Sequence, residues 1–178
     1  VRWPTPTHHS ERAQSRRRLE RVYEARFPLD WQASLLGDGE PAFDEGFTGV
    51  VRHELTDGAW VDEVRGWVTG ADELFGRLLA GTPWRQRDIW MYERQVPEPR
   101  LTHRWLLDDE DPPVPILRTM AAALGERYGV VFSQVGTNLY RNGSDSVAWH
   151  GDRVARELPE ATVALLSLGA PRPFKLRP

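Results

Sequence analysis

Residues 138–152, NLYRNGSDSVAWHGD, constrain this chain more than any other stretch. They read as strand, turn, strand, with polar side chains two apart on each arm: Asn138 and Tyr140 on the first, His150 and Asp152 on the second. In a strand, residues i and i+2 face the same way. His150 and Asp152 can therefore converge on one atom, whereas helical spacing would splay them. An imidazole and a carboxylate side by side supply two of the three ligands of a facial triad for non-haem Fe(II). An isolated His-x-Asp is more often a surface hydrogen bond than a metal site, so the dipeptide pattern alone decides little.

The full pattern, N-x-Y-x-x-G-x-D-x-x-x-x-H-x-D, is more specific, and it resembles the AlkB-like family of Fe(II)- and 2-oxoglutarate-dependent dioxygenases. The resemblance spans about residues 45–178 and is strongest from Asn138 onward. It implies a double-stranded β-helix, or jelly roll, preceded by an N-terminal helical and strand extension, hence an α+β fold. His150 and Asp152 would be iron ligands and the catalytic centre. Asn138 and Tyr140 would donate hydrogen bonds to the carboxylates of 2-oxoglutarate, as amide and phenol groups can. The segment PRLT at 99–102 resembles the loop ahead of the jelly roll, which makes Arg100 and the nearby aromatic Trp105 the expected substrate contacts. The implied reaction consumes O2 and 2-oxoglutarate and removes N-methyl groups from bases of alkylated DNA or RNA, as in repair of alkylation damage. A base inside a duplex would have to be flipped out and stacked on an aromatic side chain.

Two departures from the family pattern stand out. No histidine follows His150, so the third iron ligand and the arginines expected to clamp 2-oxoglutarate are missing from their usual place. The chain is therefore expected to be a piece of a longer protein, with His53 or His103 as the less favoured source of the third ligand. Arg153 and Val154 stand where many relatives that bind damaged bases carry an acid, which bears on the substrate more than on the reaction. Two alternatives stay open: a non-catalytic jelly-roll module that binds nucleic acid or a metabolite, and a 2-oxoglutarate-dependent hydroxylase of a protein or small molecule.

Length and composition set the frame. At 178 residues, one domain is expected: a helical and loop extension over 1–45, a strand–helix support region over 46–130, and the first part of the jelly-roll core over 131–178. The net charge of −3 gives no overall basic signature for nucleic acid. The absence of cysteine excludes disulfides and thiolate metal sites. The longest apolar run, 161–168, is too short for a helix to cross a bilayer. A cytoplasmic monomer with no membrane partner is expected.

Along the chain, residues 11–26 predict an arginine-rich solvated helix with interleaved acids. A strand is expected over 47–55, with a turn at Asp57-Gly58. Residues 60–67 are ambiguous between strand and helix. A helix over 71–80 is expected to stop at Gly81. One strand is predicted over 84–94, then a two-proline loop over 97–105 and an acidic, proline-rich linker over 108–115. Residues 115–128 predict an amphipathic helix with Ile116, Met120, Ala123, Leu124 and Tyr128 buried, ending at Gly129. A buried strand over 162–168 and a further strand from Phe174 complete the pattern. Gly143 is expected to supply positive φ and Asp145 an Asx-type turn.

The site itself sets a condition on the turn. A two-residue hairpin centred on Asn142-Gly143 would put His150 and Asp152 on the opposite face from Asn138 and Tyr140. A shared site needs an odd loop or a one-residue bulge between the arms.

Overall fold

The computed structural model describes residues 21–22, 39–55, 58–91, 93–150 and 162–176. Ten short strands and two helices lie in this order: β1 (Arg21–Val22), β2 (Ala42–Phe43), β3 (Val51–Glu54), β4 (Trp60–Glu63), β5 (Val68–Thr69), α1 (Ala71–Gly81), β6 (Arg85–Gln86), β7 (Asp88–Met91), β8 (Arg94–Pro97), β9 (Leu101–Leu106), α2 (Ile116–Tyr128) and β10 (Gln134–Leu139). The main sheet runs β1-β6-β9-β10, and three two-stranded ribbons, β2-β5, β3-β4 and β7-β8, surround it. Every pairing is antiparallel. The class is α+β, as expected.

The β9–β10 ladder organises the molecule. Its register pairs Leu101 with Leu139, Thr102 with Asn138, His103 with Thr137, Arg104 with Gly136 and Trp105 with Val135. Cross-strand partners share a face and neighbours alternate. One face therefore carries Leu101, Trp105, Val135 and Leu139, and the other carries Thr102, Arg104, Gly136 and Asn138. The first face is buried. Leu101 and Leu139 pack with Trp84, Phe75 and Leu79, while Leu74, Leu78, Val114, Leu117 and Met120 form a second cluster that Val135 and Leu168 join. Both helices thus cover one side of the ladder, and Asn138 stays exposed on the other.

Helix α1 has Asp72 and Glu73 in its first turn, where they complement the helix dipole, and Leu74 and Leu78 make its buried ridge. Gly70 precedes it at φ 65°, and a Cβ there would lie 2.8 Å from the Glu40 backbone. Glycine is required on both counts. Gly81 acts differently from the expected stop. It is the last helical residue, Thr82 caps the end in extended conformation, and a Cβ on Gly81 would come within 2.8 Å of Pro113. Its smallness serves packing, while Gly129, at φ 65°, does end α2 in the left-handed conformation. Leu117 joins Met120 in the buried stripe of α2, in place of the more exposed Ala123, Leu124 and Tyr128.

Several expectations are corrected. Of the helix predicted over 11–26, only Arg21 and Val22 are described, and they form a strand against β6. The single strand over 84–94 is broken into β6, β7 and the start of β8, with Glu93 at φ 62° turning the chain between β7 and β8. The predicted loop over 97–105 holds β9, the central strand of the ladder. Residues 60–67 resolve as β4 followed by a turn, and the strand expected over 47–55 is confined to β3. Residues 162–168 and 174–176 make no ladder, and Leu165 and Phe174 are exposed. No strand among the described residues pairs with them, and of the two segments Leu168 packs against the core cluster while Val163, Leu165, Leu166, Phe174 and Leu176 are exposed.

Candidate active site

Three of the expected site residues lie at one end of the ladder. Asn138 lies on β10, and Tyr140 and Arg100 come just past the Leu139–Leu101 pair on the two strands. The segment after Tyr140 turns sharply. The Asp145 backbone N–H donates to the Asn142 carbonyl at 3.2 Å, and the Ser144 N–H donates to Asn142 Oδ1 at 2.9 Å. The two-residue Asn-Gly hairpin is not formed. Gly143 and Ser144 occupy the centre of the turn, Gly143 lacks a positive φ, and residues 145–150 form no strand with β10.

The Asx turn belongs to Asn142, and Asp145 has a different task. Its carboxylate accepts from Arg141 three times: from the backbone N–H at 2.8 Å, from Nε at 2.7 Å and from Nη2 at 2.8 Å. The Asp145 side chain is only 6% exposed. The Arg141 hydrogen bonds hold its carboxyl below the usual carboxylate range against the opposing effect of burial. A further bond, from the Ser146 N–H to the Pro99 carbonyl at 2.8 Å, ties this turn to the loop ahead of β9.

Arg172 closes the arrangement from the C-terminal segment. Its guanidinium carbon stands 4.5 Å from the Tyr140 ring centroid. Nη1 donates to the Asn142 carbonyl at 3.1 Å, and Nη2 donates to the Asp145 carbonyl. Nothing local in the sequence marks this role, since the contacts reach across thirty residues.

His150 is exposed, with Nδ1 2.8 Å from the Ala148 carbonyl. A carbonyl can only accept, so Nδ1 is the donor, and in the neutral ring this places the lone pair on Nε2, the tautomer a metal ligand needs. Asp152 lies outside the described residues. Among the described residues no three metal-binding side chains converge. His53 lies on β3 with Nε2 3.3 Å from Glu63. His103 is three residues before Leu106 on the helix-covered face of the ladder, edge-on to Trp105 at 4.6 Å. Burial lowers its pKa.

Arg100 and Trp105 differ from what their positions in the sequence implied. Arg100 donates from Nη2 to Glu98 at 2.7 Å, and its Nε is buried without a hydrogen-bond partner. Trp105 is 3% exposed and faces away from Asn138 across the sheet. It cannot offer a stacking surface to anything that Asn138 touches. The exposed indoles among the described residues are Trp60 at 38%, Trp149 at 52%, one residue before His150, and Trp90 at 71%, on β7 of the β7–β8 ribbon.

Human alpha-ketoglutarate-dependent dioxygenase alkB homolog 3 is 34% identical to the chain over 140 residues, covering 73% of this chain and 47% of the human protein. The homolog 3 of Rattus norvegicus is 32% identical over 117 residues, covering 60% of this chain and 40% of its own length. The chain belongs to the AlkB-like dioxygenase family. No protein-family model matches it. The AlkB-like chain spans about half the length of these relatives. No helix among its described residues is long and apolar enough to cross a membrane.

Proposed function

We propose that this AlkB-like chain carries the iron and 2-oxoglutarate site of a dioxygenase that removes N-alkyl groups from nucleobases in DNA or RNA. The observation that carries this is the open face of the β9–β10 ladder. Asn138 stands there at the end that leads through Tyr140 into the turn before His150. Family membership supplies the chemistry, since the relatives are named as alpha-ketoglutarate-dependent dioxygenases.

The residues fit the groups they would hold. The Asn138 amide and the Tyr140 phenol are neutral donors suited to a carboxylate. His150 is in the tautomer that presents Nε2, and its bond to the Ala148 carbonyl fixes the ring plane as an outer-shell partner does. Asp152 would add the anionic ligand, which makes the pair suited to Fe(II) with positions left open. Bound iron would activate O2, one oxygen atom going into succinate as 2-oxoglutarate loses CO2 and the other into the N-methyl group, which leaves as formaldehyde. The protein orients the cosubstrate through Asn138 and Tyr140 and holds the base near the metal.

Trp90, the most exposed indole among the described residues, is assigned the stacking role expected of Trp105, because an exposed indole on a ribbon can meet an unstacked base. Arg100, paired with Glu98 at the entry to β9 with its side chain 17% exposed, remains the candidate for a phosphate or substrate contact. Family membership implies a jelly roll whose first part lies over 131–178, and such a fold would cover Val163, Leu165 and Phe174, which are exposed here.

The test is turnover of an N-methylated oligonucleotide with Fe(II), 2-oxoglutarate and O2. Equal amounts of succinate and formaldehyde, with loss of the methylated base, are expected. Succinate formed without any base product would refute the nucleobase assignment.

A further inference from the structure

Arg172 makes two kinds of contact at once. Its guanidinium carbon stands over the Tyr140 ring, 4.5 Å from the centroid. Its terminal nitrogens reach the carbonyls of Asn142 and Asp145, the two ends of the turn that follows Tyr140. A planar, forked cation can cover a ring with its face while its edge bonds two oxygens; a lysine ammonium cannot. The far side of the same turn is clamped by the Arg141–Asp145 pair. Tyr140 is half-buried between these constraints.

We propose that Arg172 is a positioning residue for the cosubstrate. It holds the Tyr140 phenol in the orientation that donates to a 2-oxoglutarate carboxylate. This rests on Tyr140 being a 2-oxoglutarate contact, as proposed above. An arginine that only held the turn together would affect stability and leave the phenol's contribution to binding untouched. An arginine acting through the phenol has an effect that requires the phenol to be present.

The experiment is an anaerobic 2-oxoglutarate titration of the Fe(II)-loaded chain, followed by the visible charge-transfer absorption. It compares wild type, Arg172→Met, Arg172→Lys, Tyr140→Phe and the Arg172→Met/Tyr140→Phe double variant, with thermal unfolding recorded for each. Arg172→Met is expected to weaken 2-oxoglutarate binding about tenfold, and Arg172→Lys by about threefold, because charge returns without the stack and fork. In the Tyr140→Phe background, Arg172→Met is expected to change affinity less than about twofold.

Wild-type affinity in Arg172→Met, or the full loss persisting in the Tyr140→Phe background, would overturn the inference while leaving the proposed function standing. If Arg172→Met does not fold, wild-type affinity in Arg172→Lys would overturn it. Failure of the folded wild type to bind 2-oxoglutarate at all would overturn both.

Discussion

Replacing Asp145 with asparagine isolates the interaction that holds the turn beside the site. Asp145→Asn keeps the shape of the side chain but removes its charge and turns one of its two acceptor oxygens into a donor. Three Arg141 donors, all within 2.8 Å, then compete for one remaining oxygen. Hydrogen bonds to charged groups contribute about 1.5–3 kcal/mol each. Arg141 is 22% exposed and can recover part of that from water. A net loss of about 2–3 kcal/mol is expected. With a urea slope of about 2 kcal/mol per molar, the midpoint should fall by about 1–1.5 M.

The difference should also depend on pH with a definite sign. The folded-state pKa of Asp145 is depressed. Its contribution is therefore complete above the unfolded carboxylate value, near pH 4, and is lost as pH falls through the depressed folded value. Urea unfolding of both proteins between pH 7 and pH 2.5 is the assay. The gap between wild type and variant should be constant above about pH 5 and narrow steadily below pH 4. A gap under about 0.5 kcal/mol at pH 7, or one that widens on acidification, would refute the assignment of Asp145 as the charged anchor of the turn.

Gly70→Ala should lower stability by at least about 2 kcal/mol, since it combines positive φ with a Cβ against the Glu40 backbone; an unchanged unfolding midpoint would contradict the close approach. Trp105→Ala should cost about 3–5 kcal/mol of stability, while Trp90→Ala should leave unfolding within about 0.5 kcal/mol of wild type. If the proposed base contact is right, Trp90→Ala should also weaken oligonucleotide binding, by about 1–3 kcal/mol. The reverse pattern for the two tryptophans would restore Trp105 as the stacking residue.

The helices were legible because their signals are local. Leu74 and Leu78 repeat on one face of α1, and Gly129 ends α2 where the sequence placed the stop. The β3–β4 ribbon follows from the turn at Gly58, which sits at φ 77°. Strand β9 was hidden by Pro97 and Pro99, which make its entry look like loop, and by a buried face that alternates Leu101 with His103 before Trp105. Which face of β9 points inward depends on its register with β10, a non-local fact that puts Trp105 in the interior. At the site, the polar i, i+2 pairs could be read directly, because strand geometry alone fixes their sidedness. Arg172 could not, since its value lies in a ring and two carbonyls that only the folded chain brings to it. Asp145 was legible as a turn residue, but its partner proved to be the Arg141 side chain and backbone, with the Asx role falling to Asn142.

The most direct test of the central claim is an anaerobic titration of the protein with Fe(II) and 2-oxoglutarate, watching for the visible charge-transfer band. The band should form with wild type and vanish in both His150→Ala and Asp152→Ala while each variant remains folded. A folded wild type that gives no band, or a band that survives both substitutions, would contradict the iron site placed on these two residues.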